Sequence, residues 1–453
     1  MYLCAMKWRL LLVLTVSLQS LFAQSPPVHF VTLRESIQLA LENSEQIKKA
    51  QIDRQALEQR LKEGRSAALP RINLGMNFDY YPLLPTNLVP GEPFGRPDYL
   101  PLQFGMPWQF TTALNIQQPI YNESLRRAAP VGNVTRSICD LLIERSEEEV
   151  MFNTALVYYQ TLQMRQLLRT LDANTEKLAT LQKITELQLK NGYALPLDIK
   201  RLRVANTNLA AQRQNLLTGI NALSETLRFL CGQPLDMPFD PQETIEVPAA
   251  DSIIWLAIEC EPERSTEYKL LQRNLELNKV QANSLRAENF PKLSAYAGGF
   301  VQSQLPSANL FDTHGRWYGM AAVGFRFELP VFNGFRRRHK SAQLQLEAQK
   351  LAVDQRQILR AKTLEFRQSH DQLKNTLTAL QNQTENVALA REIEEKMRLT
   401  YQSGNIPLTE LLNAHTALSE AETNYWQQVF AYKISVLRVL KSAGKLEMLI
   451  LPK

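Results

Sequence analysis

The stretch Tyr401-Gln402-Ser403-Gly404-Asn405-Ile406-Pro407-Leu408-Thr409-Glu410-Leu411-Leu412-Asn413 decides the fold, because its pattern occurs twice. The earlier copy is Lys190-Asn191-Gly192-Tyr193-Ala194-Leu195-Pro196-Leu197-Asp198. With Gly192 laid on Gly404 the shift is 212 positions; Asp198 then falls on Glu410, Ala205 on Ala417 and, without a gap, Gly232 on Gly444. In each copy a glycine able to stop a helix precedes a short segment and then an acid in the first turn of the next helical run. The flanks are rich in Gln, Leu, Ala, Glu and Arg. Each stretch therefore reads as the tip of a helical hairpin.

Working outward, the runs 124–191 and 335–402 hold 68 residues each. At 1.5 Å per residue a helix of that length reaches ~100 Å, so other helices must cover it. The return runs 197–230 and 408–442 cover about half of that length. The helical runs 33–65 and 264–289 are available for the rest, lying end to end with the return runs.

Pro70 and Pro291 each end a helical run, and the period then changes to two. Ile72, Leu74, Met76, Phe78 and Tyr80 alternate with polar or small residues, as do Phe110, Thr112, Leu114 and Ile116. Leu293, Ala295, Ala297 and Val301, then Val323, Phe325, Phe327 and Leu329, repeat the pattern. Strands are predicted over about 71–81, 108–119, 292–303 and 319–331. The seven prolines of 82–107 predict a long loop, and Pro130 predicts a kink or a delayed helix start. The chain reads as one repeat over 24–236, a proline-bearing linker over 237–262, and a second repeat over 263–453.

Strands of ~10 residues with strict alternation match the length of transmembrane β-strands. Four cannot close a barrel, and an open edge in lipid is costly. Strands in a membrane would thus require several chains to share one barrel.

The amino terminus reads as a secretory signal peptide over 1–23: Lys7 and Arg9 precede an apolar run, and Phe22-Ala23-Gln24 offers a cleavage point. No cysteine stands there to carry a lipid anchor. The formal charge of +6 falls by two on removal of that segment, too modest a balance to argue for nucleic acid. Cys139, Cys231 and Cys260 would remain, with no disulfide or zinc spacing. After residue 23 no stretch approaches 18 consecutive apolar residues. The five histidines lie at 29, 314, 339, 370 and 415, without ligand spacing, and neither a nucleophile elbow nor a phosphate-cradling loop occurs. Enzyme readings, cofactors and metal sites therefore find no support.

These features together resemble the TolC family of bacterial outer-membrane efflux proteins. The resemblance rests on Leu33-Arg34-Glu35-Ser36-Ile37-Gln38-Leu39-Ala40-Leu41-Glu42-Asn43, the strand entries at Pro70 and Pro291, Leu329-Pro330-Val331-Phe332-Asn333-Gly334, both tips, and Leu411-Leu412-Asn413-Ala414. It implies a mainly α protein with a membrane β-barrel portion. It further implies a homotrimer with a shared 12-stranded barrel and a periplasmic α-helical tunnel, belted by a mixed region near mid-length. The implied partners are a periplasmic adaptor, an inner-membrane transporter and outer-membrane lipid. Cargo stays open among drugs, metal ions and polypeptides.

Residue by residue, the resemblance implies a tip lock of Tyr401 with Asp198, adaptor-docking tips at Gly192 and Gly404, and a pore constriction at Glu410 and Asn413. The family's second acidic ring is neutral here at Asn413. The lock arginine is replaced by Ile406, and Glu123 stands where the second half has Gly334. Arg126, Arg127, Arg336, Arg337 and Arg338 follow strands directly and suit a membrane boundary. Trp108, Tyr121, Trp317 and Tyr318 suit an interfacial belt. The bland readings are helix-start acids for Asp198 and Glu410, packing for Tyr401 and a solvated face for the arginines. A secreted coiled-coil scaffold is the alternative for the whole chain.

Overall fold

The computed structural model describes residues 29–234, 239–242, 252–308 and 316–450. The signal segment 1–23, most of 235–251, and His314 and Gly315 lie outside the described residues. In chain order the elements are β1 (His29–Val31), α1 (Leu33–Asn43), α2 (Glu45–Ser66), β2 (Arg71–Tyr80), β3 (Thr86–Val89), β4 (Leu100–Gln103), β5 (Trp108–Asn122), α3 (Glu123–Lys190), α4 (Pro196–Leu230), β6 (Phe239–Pro241), α5 (Ser252–Leu256), α6 (Thr266–Ala287), β7 (Lys292–Leu305), β8 (Arg316–Glu328), α7 (Arg336–Gln402) and α8 (Leu408–Ser442). They form two compact units, one made of residues up to Ile52, Leu141–Leu270 and Gln355–Lys453, the other of Asp53–Asp140 and Leu271–Asp354.

The first unit is helical. Its entry is a capping box: Glu35 N–H donates to Thr32 Oγ1 at 3.3 Å and Thr32 N–H to Glu35 Oε2 at 2.8 Å, which stabilises a helix start by ~1 kcal/mol. The single helix expected over 33–65 is broken at Ser44, whose backbone turns to φ −56°, ψ 123°. Helix α3 buries Met151, Ala155, Tyr158 and Leu162, and then Leu171, Leu178 and Thr185 at intervals of seven. Helix α7 buries Phe366, Leu373, Thr376 and Leu380. Seams of three-, four- and seven-residue spacing are what long helices need to stay in register along their length. The main core joins Met151 and Ala155 of α3 and Phe366, Leu373 and Leu380 of α7 to Val429, Tyr432, Val436, Leu437 and Leu440 of α8. Each fully buried leucine there contributes ~1.5–3 kcal/mol of apolar transfer. β1 and β6 pair in parallel, and Val31 packs in a second cluster with Tyr158, Leu162 and Phe430.

The second unit is an antiparallel sheet in the order β2-β5-β7-β8. Its register sorts the side chains. Ile72 faces Ile116, Leu74 faces Leu114 and Phe78 faces Phe110, while Ala297 faces both Ile116 and Val323, and Leu293 faces Phe327. All of these lie on one face. The other face carries Asn73 with Asn115, Asn77 with Thr111, Asp79 with Gln109, and Gln302 with Tyr318. One face is thus mostly apolar, interrupted by Thr112, Gln118 and Ser303, and the other mixes these polar pairs with Ala113, Phe300 and Met320. Phe78, Tyr80, Trp108, Phe110 and Trp317 gather at one end of the apolar face, with Tyr80 and Trp108 centroids 4.4 Å apart. Tyr318, expected with them, stands on the polar face because its neighbour Trp317 takes the apolar one.

Three expectations about this unit are corrected. The proline-rich segment is not all loop: β3 and β4 pair as a hairpin, Thr86 opposite Gln103 and Leu88 opposite Pro101. A two-stranded ribbon has an outer edge, where a proline costs no ladder bond. β5 does not stop at Pro119 but continues to Asn122 through a bulge between Pro119 and Tyr121. The extra residue, Ile120, moves Tyr121 onto the apolar face opposite Leu293. Finally, α3 starts at Glu123 and runs through Pro130. Among the described residues no helix is long and apolar enough to cross a membrane.

Candidate functional site

The hairpin tips lie in the helical unit. At the first, Gly192 has φ +80°, Tyr193 N–H donates to Gln188 O at 2.8 Å, and Gly192 N–H donates to Leu189 O at 3.1 Å. At the second, Gly404 has φ +77°, Asn405 N–H donates to Thr400 O at 3.1 Å, and Gly404 N–H donates to Tyr401 O at 2.9 Å. Both are left-handed glycine caps that satisfy the last carbonyls of a helix. Gly232 and Gly444, the other pair related by the 212-residue shift, close α4 and α8 in the same way.

The two acids past the tips have different surroundings. Asp198 is the third residue of α4, and its carboxylate accepts from Leu195 N–H at 3.3 Å. It is the helix-start acid of the bland reading. Glu410 is the third residue of α8, but the residue in place of Leu195 is Pro407, which has no N–H. The Glu410 carboxylate is left out of the cap and stays exposed. Asn413, Ala417, Glu420, Asn424 and Gln427 continue an exposed stripe at three- and four-residue spacing. Leu411, Ala414, His415 and Leu418 form the buried stripe beside it.

Tyr401 does not bond Asp198. Its hydroxyl donates to Gln188 Oε1 at 3.0 Å and lies 3.4 Å from Thr185 Oγ1, which joins α7 to α3. Asp198 meets Arg201 at 3.5 Å, and Arg201 also donates to Thr409 Oγ1 at 3.0 Å, which joins α4 to α8. Two polar ties therefore hold the hairpins together, above an apolar cluster of Leu178, Leu202 and Leu408. Gln188, Arg201 and Thr409 were missed in the sequence because lone polar residues on amphipathic helices look like solvated faces. The missing N–H of Pro407 was legible and would have separated Glu410 from Asp198. Below the tip, His415 is 7% exposed with Nδ1 3.6 Å from Glu394 Oε1. Burial pushes its pKa down; Glu394 opposes that shift and Lys177 adds to it.

The arginines that follow the strands lie in the sheet-bearing unit. Glu123 is 2% exposed by its side chain and accepts from Arg126 and Arg127, each at 2.7 Å. The Arg126 and then the Arg127 hydrogen bonds hold its pKa down at about 2. Arg336 pairs with Glu288 at 3.0 Å, Arg337 donates to Pro330 O at 3.4 Å, and Arg338 is exposed.

The family model described as outer membrane efflux protein matches residues 36–231 and 269–445. Outer membrane protein TolC of Escherichia coli (strain K12) is 21% identical over 424 residues, covering 91% of this chain and 82% of that protein. Among solved structures, CusC superimposes with a TM-score of 0.70 at 16% identity, over 94% of this chain and 95% of that one. The Campylobacter jejuni CmeC outer membrane channel gives 0.70 at 17%, over 91% and 85%. The chain belongs to the outer membrane efflux protein family, as a non-enzymatic channel-type protein of the Gram-negative outer membrane.

Proposed function

We propose that three copies of this chain share one 12-stranded barrel in the outer membrane and extend their helices into the periplasm as one tunnel. In this reading each copy contributes two structural repeats, 24–236 and 263–453, joined by a linker over 237–262. The duct passively exports small molecules or polypeptides delivered by an inner-membrane transporter through a periplasmic adaptor. The adaptor docks at the tips around Gly192 and Gly404. Glu410 and Asn413 form the constriction, and Tyr401 with Asp198 and Arg201 keeps the tips together until docking parts them. Arg126, Arg127 and Arg336 to Arg338 sit at the membrane boundary.

The observation that carries this reading is the sheet. Within the described residues β2 and β8 each lack a partner on one side, and one face is predominantly apolar. Lipid against that face and further strands at both edges would complete such a sheet. Three exposed carboxylates around one narrow pore attract cations.

Conductance of the detergent-purified protein in a planar bilayer, wild type beside Glu410→Gln, tests it. A cation-selective conductance that loses selectivity in the variant is expected. Selectivity unchanged by the variant moves the constriction away from Glu410. A protein that stays monomeric in aqueous buffer and never inserts refutes the duct and leaves the scaffold.

A further inference from the structure

A cavity of about 450 Å³ opens in the sheet-bearing unit where β5 hands over to α3, walled on its far side by the end of α2. Four arginines line it: Arg60 and Arg65 from α2, Arg126 and Arg136 from α3. Leu61, Ile120 and Leu125 supply apolar wall between them. The one lining carboxylate, Glu123, is already held by Arg126 and Arg127. Arg136 is held by Glu58 at 2.7 Å. Arg60 and Arg65 are exposed and have no carboxylate partner among the described residues. The cavity therefore keeps an unspent positive charge. It also requires Gly132, because a Cβ there would stand 2.9 Å from Leu61 Cδ2.

The surroundings share that sign. Residues 60–71, 118–136, 286–292 and 326–340, which flank the strand ends nearest the helices, hold fourteen Lys and Arg against four Glu. That excess is larger than the +6 of the whole chain, so the remainder is net negative. Basic charge is concentrated in one band, and the cavity lies within it.

We propose that this cavity binds the phosphodiester headgroup of an anionic phospholipid. Arg60 and Arg65 hold the phosphate, and the apolar wall guides the acyl chains toward the apolar face of the sheet. Guanidinium forks match phosphate oxygens in geometry and charge. The volume lies in the range of small-ligand sites, which span ~300–1,000 Å³. The apolar wall favours a lipid over a free anion. The inference rests on the reading that the sheet spans the outer membrane.

Native mass spectrometry of the detergent-purified chain, titrated with phosphatidylglycerol and with phosphatidylcholine of the same acyl chains, tests it. Vesicle insertion is measured in parallel. Phosphatidylglycerol is expected to bind more tightly. The double variant Arg60→Gln/Arg65→Gln should weaken that binding roughly 30-fold, one direct guanidinium–phosphate contact being lost at each arginine. Arg336→Gln/Arg338→Gln, which removes the same charge from the band outside the cavity, should leave it within about threefold. Equal binding of the two lipids overturns the proposal, as does an equal loss in both variants. Displacement by millimolar inorganic phosphate would make this a small-anion site and would also overturn it. A chain that inserts but shows no preference loses the cavity alone. A chain that never inserts loses the membrane reading as well.

Discussion

Replacing Tyr401 with Phe removes one oxygen and keeps the ring. What is lost is the 3.0 Å hydrogen bond to Gln188 and the longer contact to Thr185. A net protein hydrogen bond of this kind contributes about 1 kcal/mol. If tip parting is concerted across three copies, the loss sums to ~3 kcal/mol, a shift of roughly a hundredfold in the closed-to-open ratio. Single-channel recording at fixed voltage reads that ratio as open probability. Gln188→Ala should reproduce the effect, and the double variant should add little, because the two changes remove one bond. An open probability unchanged by Tyr401→Phe refutes the tie between α3 and α7 as a latch. Additivity of the two variants refutes their pairing.

Other expectations follow from the same geometry. Gly232→Ala places a Cβ 2.5 Å from the Asn43 Cβ at φ +64°, whereas Gly444→Ala meets nothing within 4 Å at φ +66°. The second should cost the ~1–2 kcal/mol of a left-handed alanine and the first more, read as melting temperatures in detergent. His415 has its pKa lowered by burial from an ordinary 6.5. The folded chain therefore binds fewer protons, and the stability from neutral His415 is full above that value and is lost as the pH falls below it. His415→Gln should flatten a melting profile taken between pH 7 and 5; an unchanged slope would place the titration elsewhere. Cys231 is fully buried, and burial pushes its thiol up to about 12. Native-state maleimide should label the half-buried Cys139 and Cys260 and spare Cys231; mass spectrometry of the labelled chain shows the order.

The parts of the fold that follow from periodicity were legible in the chain. The change from helical spacing to alternation after Pro70 and Pro291 marked where β2 and β7 begin. The glycines at 192 and 404 marked both tips. What stayed hidden depends on geometry the pattern does not encode. Ser44 breaks a helix whose apolar spacing runs on past it. The β3–β4 hairpin sits among prolines that an outer edge tolerates. The bulge at Ile120 appears only once β5 is paired with β7. At the tip, the lock expected between Tyr401 and Asp198 is not a bond between those two: their partners are Gln188, Thr185, Leu195 and Arg201. Which of several polar residues a tyrosine reaches is fixed by how two long helices are rotated about their axes.

Pro407 has a consequence for how this tip can change over generations of sequence. The carboxylate at 198 is bound into a helix start, so replacing it disturbs folding. The carboxylate at 410 is spared that duty by a missing N–H. Position 410 is therefore a site where charge can be rewritten without breaking a cap bond, at the cost only of its first-turn interaction with the helix dipole, ~0.3–1 kcal/mol. Swapping Pro407 for a residue with an amide would recruit Glu410 into the cap and end that freedom. One imino acid thus keeps the tip's architecture and its electrostatics under separate control.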